Sequence, residues 1–214
     1  MIKLFKNAEP EVLSRNAVRW TEELLKVHAN GGDEKATRLA RYRHEQIKAA
    51  LIRETHEKCA YCESKPLAVA YGDIEHVVPK AARPDLAFAW NNLTLACDRC
   101  NTNKSDYEGA IDPYMDDPEA EFEFFGPMIL HRTGRDKAER TIARLGLNRI
   151  QLLERRADHI GRLRSLIDRL AATSDPKHHA FLQRQIVDAE TSDEKEYAGC
   201  ARAFVAAVVG SRTG

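Results

Sequence analysis

The fold is decided by three stretches: Cys59-Ala60-Tyr61-Cys62, Gly72-Asp73-Ile74-Glu75-His76-Val77-Val78-Pro79-Lys80 and Cys97-Asp98-Arg99-Cys100. A Cys-x-x-Cys turn places two thiolates on one side of a tight turn, and two such turns complete a tetrahedral shell of sulfur ligands. Zinc favours that shell because it is a d¹⁰, borderline-soft ion. The spacing therefore predicts a structural zinc site with no coordination position left for water. Its ligands are Cys59, Cys62, Cys97 and Cys100.

Two other interpretations of these cysteines stay open. One is a redox Cys-x-x-Cys with a coincidental second pair, and the other is a set of buried free thiols. Disulfides do not persist in a reducing cytosol, so matched pairs favour metal binding. The fifth cysteine, Cys200, lies in an apolar stretch and is expected to be an inert core residue.

Helical spacing surrounds the central segment. Apolar residues predict a helix over about residues 10–28 and a second over about 33–57. Between the cysteine pairs the pattern changes: residues 73–78 and 93–96 are predicted to be strands, and a helix is predicted to begin near Asp98.

The second half of the chain begins with residues 113–127, which are acidic and aromatic and are predicted to form a loop. Helical spacing then returns, and a helix is predicted to stop at Gly146. Further helices are predicted from Asp175-Pro176 and from about Asp193. Between Gly146 and Asp175 a long helix is predicted, and apolar residues mark its buried side: Leu153, Ile160, Leu163, Ile167 and Leu170.

Polar residues with catalytic potential lie in and between these strands. Glu75-His76 precedes Pro79, Asn92 precedes the second strand, and Asn101 follows the second cysteine pair directly. Adjacent strand residues normally point to opposite faces, so a twist or bulge would be needed to bring Glu75 and His76 to one site. Taken alone, this dipeptide is a weak signal.

The order of these elements is more specific than any one of them. Cys-x-x-Cys, Asp-x-Glu-His-x-x-Pro, Asn-Asn-Leu, and Cys-x-x-Cys followed by Asn-x-x-Lys resemble the zinc-stabilised HNH endonucleases over residues 59–106. The resemblance implies a ββα-metal finger that hydrolyses phosphodiester bonds. By position, His76 would be the general base, and Glu75 and Asn101 would bind the catalytic divalent cation. Asn92 would brace the loop that joins strand and helix.

Alternatives and departures remain at this site. Asp73 is an additional or alternative ligand, and Asn103 replaces Asn101 if the register slips. Many relatives have His at the position of Asn101, and Asp or His at that of Glu75. Both replacements are oxygen donors, which suits Mg²⁺ or Mn²⁺. Lys104, Lys80 and Arg99 are candidates for phosphate contacts.

A longer resemblance extends over residues 58–156. Ile111-Asp112-Pro113 and Leu145-Gly146-Leu147-Asn148-Arg149 are similar to the PtuB family, the HNH proteins of Septu anti-phage systems, which also occur as retron effectors. This resemblance implies a nuclease subunit of a defence complex, with a PtuA-like ATPase as its partner.

Together these observations predict a mainly α-helical protein with a small α+β module, flanked by N- and C-terminal helices. The predicted parts are an N-terminal helical arm at residues 1–57, a zinc-stabilised HNH module at 58–112, and an acidic loop with a C-terminal helical region at 113–214.

Charge and hydropathy limit the partners. The 214 residues contain 33 basic and 33 acidic side chains, whereas phosphate binding usually shows as a basic surplus. Residues 131–169 hold eleven Arg or Lys against five Asp or Glu, which permits a nucleic-acid surface, with DNA favoured and RNA possible. No stretch approaches the ~20 apolar residues of a membrane span. The first residues lack a secretory apolar core, so we expect a cytoplasmic location and no membrane contact.

Two other functions compete with a nuclease. The first is a catalytically inactive zinc-knuckle protein that binds nucleic acid or another protein. The second is a structural helical adaptor in which the cysteines only hold helices together.

Overall fold

The N-terminal part is helical, as expected, in the computed structural model, which describes residues 1–31, 40–66 and 72–210. Helix α1 spans Glu11–Ala29 with Pro10 at its N-cap, which confirms the first predicted helix. It buries Leu13, Trp20 and Leu24, three residues at helical spacing.

The second predicted helix is wrong in its bounds. Residues 33–39 lie outside the described residues, a 3₁₀ turn covers Ala40–Arg43, and helix α2 spans Glu45–Glu54. The break falls at His44, whose ring accepts the Gln46 N–H and so acts as a new N-cap. The helix ends before His56 and Glu57 because both have positive φ.

The central module is a ββα unit. Strand β1 (Asp73–His76) pairs antiparallel with strand β2 (Leu93–Ala96), and helix α3 (Asp98–Lys104) follows directly. The second strand and the helix start are confirmed. Strand β1 ends two residues earlier than predicted because the Asn92 side chain takes both backbone groups of Val78.

The predicted loop at 113–127 is wrong. It contains a short helix, α4 (Pro118–Glu121), and the first strand of a hairpin formed by β3 (Phe122–Phe125) and β4 (Met128–His131). Alternation explains the strand, since Phe122 is buried while Glu123 is exposed. Gly126, at a φ of 57°, forms the turn between β3 and β4. The acidic composition of the segment had favoured a loop instead of this hairpin.

Four helices follow in the part of the chain that the structure describes. These are α5 (Asp136–Leu145), which ends at the left-handed Gly146 as predicted, α6 (Ile150–Ala172), α7 (Pro176–Arg184), continued by a π-helical turn, and α8 (Ala198–Gly210). The last helix begins later than the predicted start near Asp193. The buried side of α6 also differs from the predicted apolar line, since it includes two polar residues: Leu152, Arg156, His159, Leu163 and Ile167.

Two core clusters hold the module from opposite sides. One packs α1 and α2 against β2, Phe88 and Trp90, and the other packs the cysteine turns against β4, α5, α6 and Cys200. The expected fold class, mainly α with a small α+β module, is confirmed. Each cluster contains residues from both sides of a predicted boundary, at residue 57 or 112. The division into 1–57, 58–112 and 113–214 therefore stays a prediction. None of the helices in the described part of the chain has the length and apolar character of a membrane span.

Candidate active site and metal centre

The four cysteines of the two turns come together as a metal-binding cluster. Their sulfur atoms all lie within 4.8 Å of one another. A backbone hydrogen bond of 2.9 Å from Ala60 N–H to the Leu95 carbonyl joins the first turn to β2. The second turn begins α3, where the Cys97 sulfur accepts the Cys100 N–H at 3.4 Å. Local backbone geometry thus aims four soft ligands at one point, which suits a structural metal ion. The predicted ligand set, Cys59, Cys62, Cys97 and Cys100, is the one that meets.

Cys200 is separate from this cluster. It is buried in α8, and burial raises the pKa of its thiol to about 11. A thiol with such a pKa is almost fully protonated at neutral pH and therefore unreactive.

A cavity of about 500 Å³ runs along the edge of β1 that does not pair with β2. Helix α3 supplies one wall, and the segment around Tyr42 supplies the other. The polar residues predicted for the site meet here: Asp73, Glu75, His76 and Asn101. The strand register is unbroken from Asp73↔Ala96 to His76↔Leu93, so the bulge, one of the two distortions expected, is not present. Because the cavity wraps around the strand edge, side chains from both faces reach it.

His76 is fixed by contacts on two sides. Its Nε2 lies 3.0 Å from the Ala87 carbonyl oxygen, and its ring meets the ring of Tyr42 edge-on at 4.7 Å between centroids. A carbonyl oxygen only accepts, so Nε2 carries a proton, and in the neutral form of the ring the lone pair would lie on Nδ1. The side chain is only 6% exposed but lines the cavity. The structure thus selects one tautomer.

Glu75 is held by a buried lysine. Lys104 Nζ donates 2.8 Å hydrogen bonds to Glu75 Oε1 and to the His76 carbonyl oxygen. Burial raises the pKa of Glu75, and the Lys104 charge partly offsets that rise. Lys104 is fully buried, so its expected role in phosphate contact is wrong. Lys104 lies three residues after Asn101, so both side chains are on one face of α3. From that face Asn101 contacts Asp73 and Lys104 contacts Glu75.

Asp73 and Asn101 lie together at the other end of β1. Asn101 Nδ2 donates to Asp73 Oδ2 at 2.9 Å, which leaves the amide oxygen of Asn101 as a potential ligand. Asn103, the alternative to Asn101, instead donates to the Leu145 carbonyl at 3.1 Å.

Asn92 braces a loop, although a different one from that expected. Its Oδ1 accepts the Val78 N–H at 2.7 Å, and its Nδ2 donates to the carbonyls of Val78 and Leu86 at 3.0 and 3.2 Å. These bonds close the loop between β1 and β2, not the connection from strand to helix. The same loop carries Ala87, so Asn92 supports the carbonyl that orients His76.

The oxygen donors at the cavity fit a hard divalent cation. Carboxylate and amide oxygens from Asp73, Glu75 and Asn101 form a donor set of the kind that Mg²⁺ and Mn²⁺ prefer. In residues 1–31, 40–66 and 72–210, Asp73, Glu75 and His76 do not form a second compact ligand group like that of the cysteines. Binding a cation between Glu75 and Asn101 would therefore require the Glu75 carboxylate to share or leave Lys104.

The opposite wall of the cavity carries basic and aromatic side chains. Of these, Lys80 was a candidate for phosphate contact, whereas Tyr42 and Arg43 were not assigned to the site. Arg43 and Lys80 lie over the ring of Tyr42, at 5.8 and 5.9 Å from its centroid. Such a wall places positive charge beside the oxygen donors.

The fold and the site define a class of protein. Residues 59–107 match the HNH endonuclease family, so this stretch is an HNH domain. Two curated relatives, both Septu protein PtuB, are similar over more of the chain. One, from Bacillus thuringiensis, is 31% identical over 159 residues, which is 72% of this chain and 57% of the relative. The other, from Bacillus mycoides (strain KBAB4), is 31% identical over 196 residues, which is 73% of this chain and 66% of the relative. The chain therefore matches less than two thirds of the length of either one.

Proposed function

We propose that this protein is a metal-dependent HNH endonuclease that hydrolyses phosphodiester bonds in nucleic acid, DNA in preference to RNA. The observation that carries the proposal is the tautomer of His76. Its Nε2–H donates to the Ala87 carbonyl, so Nδ1 is the nitrogen that would take up a proton in the neutral form, and the ring lines one cavity with Glu75 and Asn101. General-base catalysis needs a histidine whose ring is held in one orientation, so that one nitrogen can take up the proton of the attacking water.

In the proposed mechanism His76 takes a proton from the attacking water at Nδ1. Glu75 and Asn101, with Asp73 as an additional ligand, would hold Mg²⁺ or Mn²⁺, which supplies Lewis-acid stabilisation of the charge that develops on phosphate. Lys104 orients Glu75 and ties it to the backbone of His76.

The basic wall supports nucleic acid as the substrate. Arg43 and Lys80 place positive charge across the cavity from the oxygen donors, where phosphates on either side of the cleaved bond would lie. The four cysteines would hold Zn²⁺ as a structural ion, because a closed sulfur shell leaves no position for substrate.

A nicking assay tests the activity. Supercoiled plasmid and tRNA are incubated with the full-length chain and Mg²⁺ or Mn²⁺, and His76→Ala is compared with His179→Ala, which alters an exposed histidine on α7. We expect His76→Ala to lose at least ~100-fold in cleavage rate, the usual contribution of a general base, and His179→Ala to retain the wild-type rate. Equal cleavage by wild type and His76→Ala would remove His76 as the base.

The similarity to Septu proteins suggests where such a nuclease works. We propose that it acts in the cytoplasm as the nuclease subunit of an anti-phage complex with a PtuA-like ATPase. Phage plating on cells that express the chain with and without a PtuA-like ATPase tests this role. Protection that needs both genes and is lost with His76→Ala is the expected result, and protection unaffected by that substitution would contradict it.

One observation favours a second candidate, an inactive zinc-knuckle protein that binds nucleic acid or another protein. The Lys104 ammonium occupies the Glu75 carboxylate and would compete with a cation there. Calorimetric titration with Mn²⁺ separates the two functions. Binding that Glu75→Gln weakens supports the nuclease, whereas no binding beyond the cysteine site supports the inactive protein.

A further inference from the structure

A guanidinium lies against the four-cysteine cluster from outside the HNH domain. Arg149 Nη1 is 3.8 Å from the Cys100 sulfur, and Nη2 is 3.9 Å from the sulfurs of both Cys97 and Cys100. Arg149 is the N-cap residue of α6, well beyond the family match at 59–107. In the described part of the chain it is the basic side chain that contacts these sulfur atoms.

The same guanidinium is anchored by the corner between α5 and α6. Its Nη1 also points to the carbonyl oxygens of Leu145 and Gly146, at 3.5 and 3.2 Å. That corner is built for close approach, because Gly146 has a φ of 61° and an added Cβ would meet Asn103 Nδ2 at 3.3 Å. Asn103 in turn donates to the Leu145 carbonyl. The corner thus holds α3 and positions Arg149 over the cysteine pair at its start.

The positive charge of Arg149 would compensate the negative charge of a metal ion bound by four thiolates. Four thiolates around a divalent ion leave a net charge of about −2, and a buried charge is costly unless it is compensated. Groups that donate to metal-bound ligands without touching the metal orient those ligands and tune their donor strength. Arg149 is half-buried, lies at hydrogen-bonding distance from two sulfurs, and makes no ion pair with a carboxylate among the described residues.

We propose that Arg149 is a positioning residue of the cysteine metal centre, which neutralises part of its charge and slows loss of the ion. The α5–α6 corner then belongs to the metal centre although it lies outside the HNH domain. This inference does not depend on nuclease activity, so either can fail without the other.

Zinc release from the full-length chain tests the proposal. Protein loaded with one equivalent of Zn²⁺ is mixed with excess chelating dye, and release is followed for wild type, Arg149→Met, Arg149→Lys and Arg155→Met, the last altering an exposed arginine on the same helix. We expect Arg149→Met to release zinc ~10–100-fold faster, the usual effect of losing such a partner. Arg149→Lys should fall between it and wild type, and Arg155→Met should match wild type. Release from Arg149→Met within twofold of wild type would overturn the proposal.

Two further measurements separate this role from a general loss of stability. Leu152→Ala removes a buried side chain from α6 but no hydrogen-bond donor to the sulfurs. For an equal loss in Tm, it should therefore accelerate zinc release less than Arg149→Met does. With Co²⁺ in place of zinc, the sulfur-to-metal charge-transfer band should shift in Arg149→Met and Arg149→Lys but not in Leu152→Ala. If Arg149→Met does not fold, the band of Arg149→Lys decides. A charge-transfer band at the wild-type wavelength in the Arg149 variants, or equal zinc release rates for Leu152→Ala and Arg149→Met, would mean that Arg149 acts only by packing.

Discussion

His76 shows how one hydrogen bond can set the chemistry of a side chain. A neutral histidine has two tautomers of similar energy, and the Ala87 carbonyl selects the one with its proton on Nε2. The sequence indicated His76 as a base, but it held no information on which nitrogen would accept the proton. That choice depends on a residue eleven positions away, held by a loop that Asn92 closes.

The buried pair of Glu75 and Lys104 gives a prediction on stability. Lys104→Met leaves the Glu75 carboxylate buried without its partner, and breaking such a pair costs about 3–5 kcal/mol. The double variant Glu75→Gln with Lys104→Met removes both charges and should recover a large part of that loss. Urea unfolding of the two variants measures the free energies. A double variant no more stable than Lys104→Met would contradict the pairing.

Asn101 and Asn103 give a matched pair for the proposed cation site. Asn101→Ala removes an amide that lines the cavity beside Asp73, whereas Asn103→Ala removes one that binds Leu145. We expect Asn101→Ala to weaken Mn²⁺ binding roughly tenfold or more, because a ligand of a hard cation is lost. Asn103→Ala should leave Mn²⁺ affinity unchanged and lower Tm instead. Calorimetry and thermal melts measure the two effects, and the reverse pattern would move the ligand role to Asn103.

At the scale of elements, the sequence predicted best where local chemistry decides the structure. The cysteine spacing predicted the two turns. It also located β2 and α3, because the second turn lies between the end of β2 and the start of α3. The β3–β4 hairpin was missed because its strands are short. It is also held by Asn148, a residue 19 positions further along the chain, whose side chain accepts from the Ile129 N–H and donates to the Ile129 carbonyl. Tertiary contacts of this kind do not appear in a local pattern.

The loop between β1 and β2 gives a prediction at this scale. Asn92→Ala removes three side-chain hydrogen bonds and leaves partly buried backbone groups of Val78 without their side-chain partner, so it should destabilise the protein by about 1–3 kcal/mol. The exposed neighbour Asn91 provides the control, and Asn91→Ala should change stability by less than about 0.5 kcal/mol. Denaturant unfolding compares them. Equal stability of the two variants would mean that the loop does not depend on Asn92.

At the scale of the whole molecule, the candidate site is assembled from segments that are far apart in the chain. The oxygen donors and His76 were predicted because they fall inside one ordered motif. Tyr42 and Arg149 were not assigned to the site, because they reach it only after the N-terminal arm and the α5–α6 corner have packed on the module. Neither residue belongs to the pattern that identified the ligands, and only long-range packing brings them near it.

The C-terminal helices contain a buried histidine that should make stability depend on pH. His159 is 3% exposed, and its Nδ1 accepts a hydrogen bond of 3.2 Å from Arg162. Burial lowers its pKa, and the charges of Arg162 and Lys195 add to that effect, while Glu190 opposes it. The unfolded chain takes up this proton near pH 6.5, whereas the folded chain does so only at lower pH. The contribution of neutral His159 is therefore complete above about pH 6.5 and is lost as pH falls toward the lowered pKa.

His159→Phe keeps an aromatic ring of similar size at this position but cannot take up a proton. Free energies of unfolding measured between pH 7.5 and pH 5 should therefore fall less steeply for His159→Phe than for wild type. His178→Phe, at an exposed position of α7, is the control and should follow the wild-type curve, because it leaves His159 and its neighbours unchanged. Parallel curves for wild type and His159→Phe would mean that His159 carries the same charge in the folded and unfolded chain. In that case the burial of His159 would not oppose its protonation.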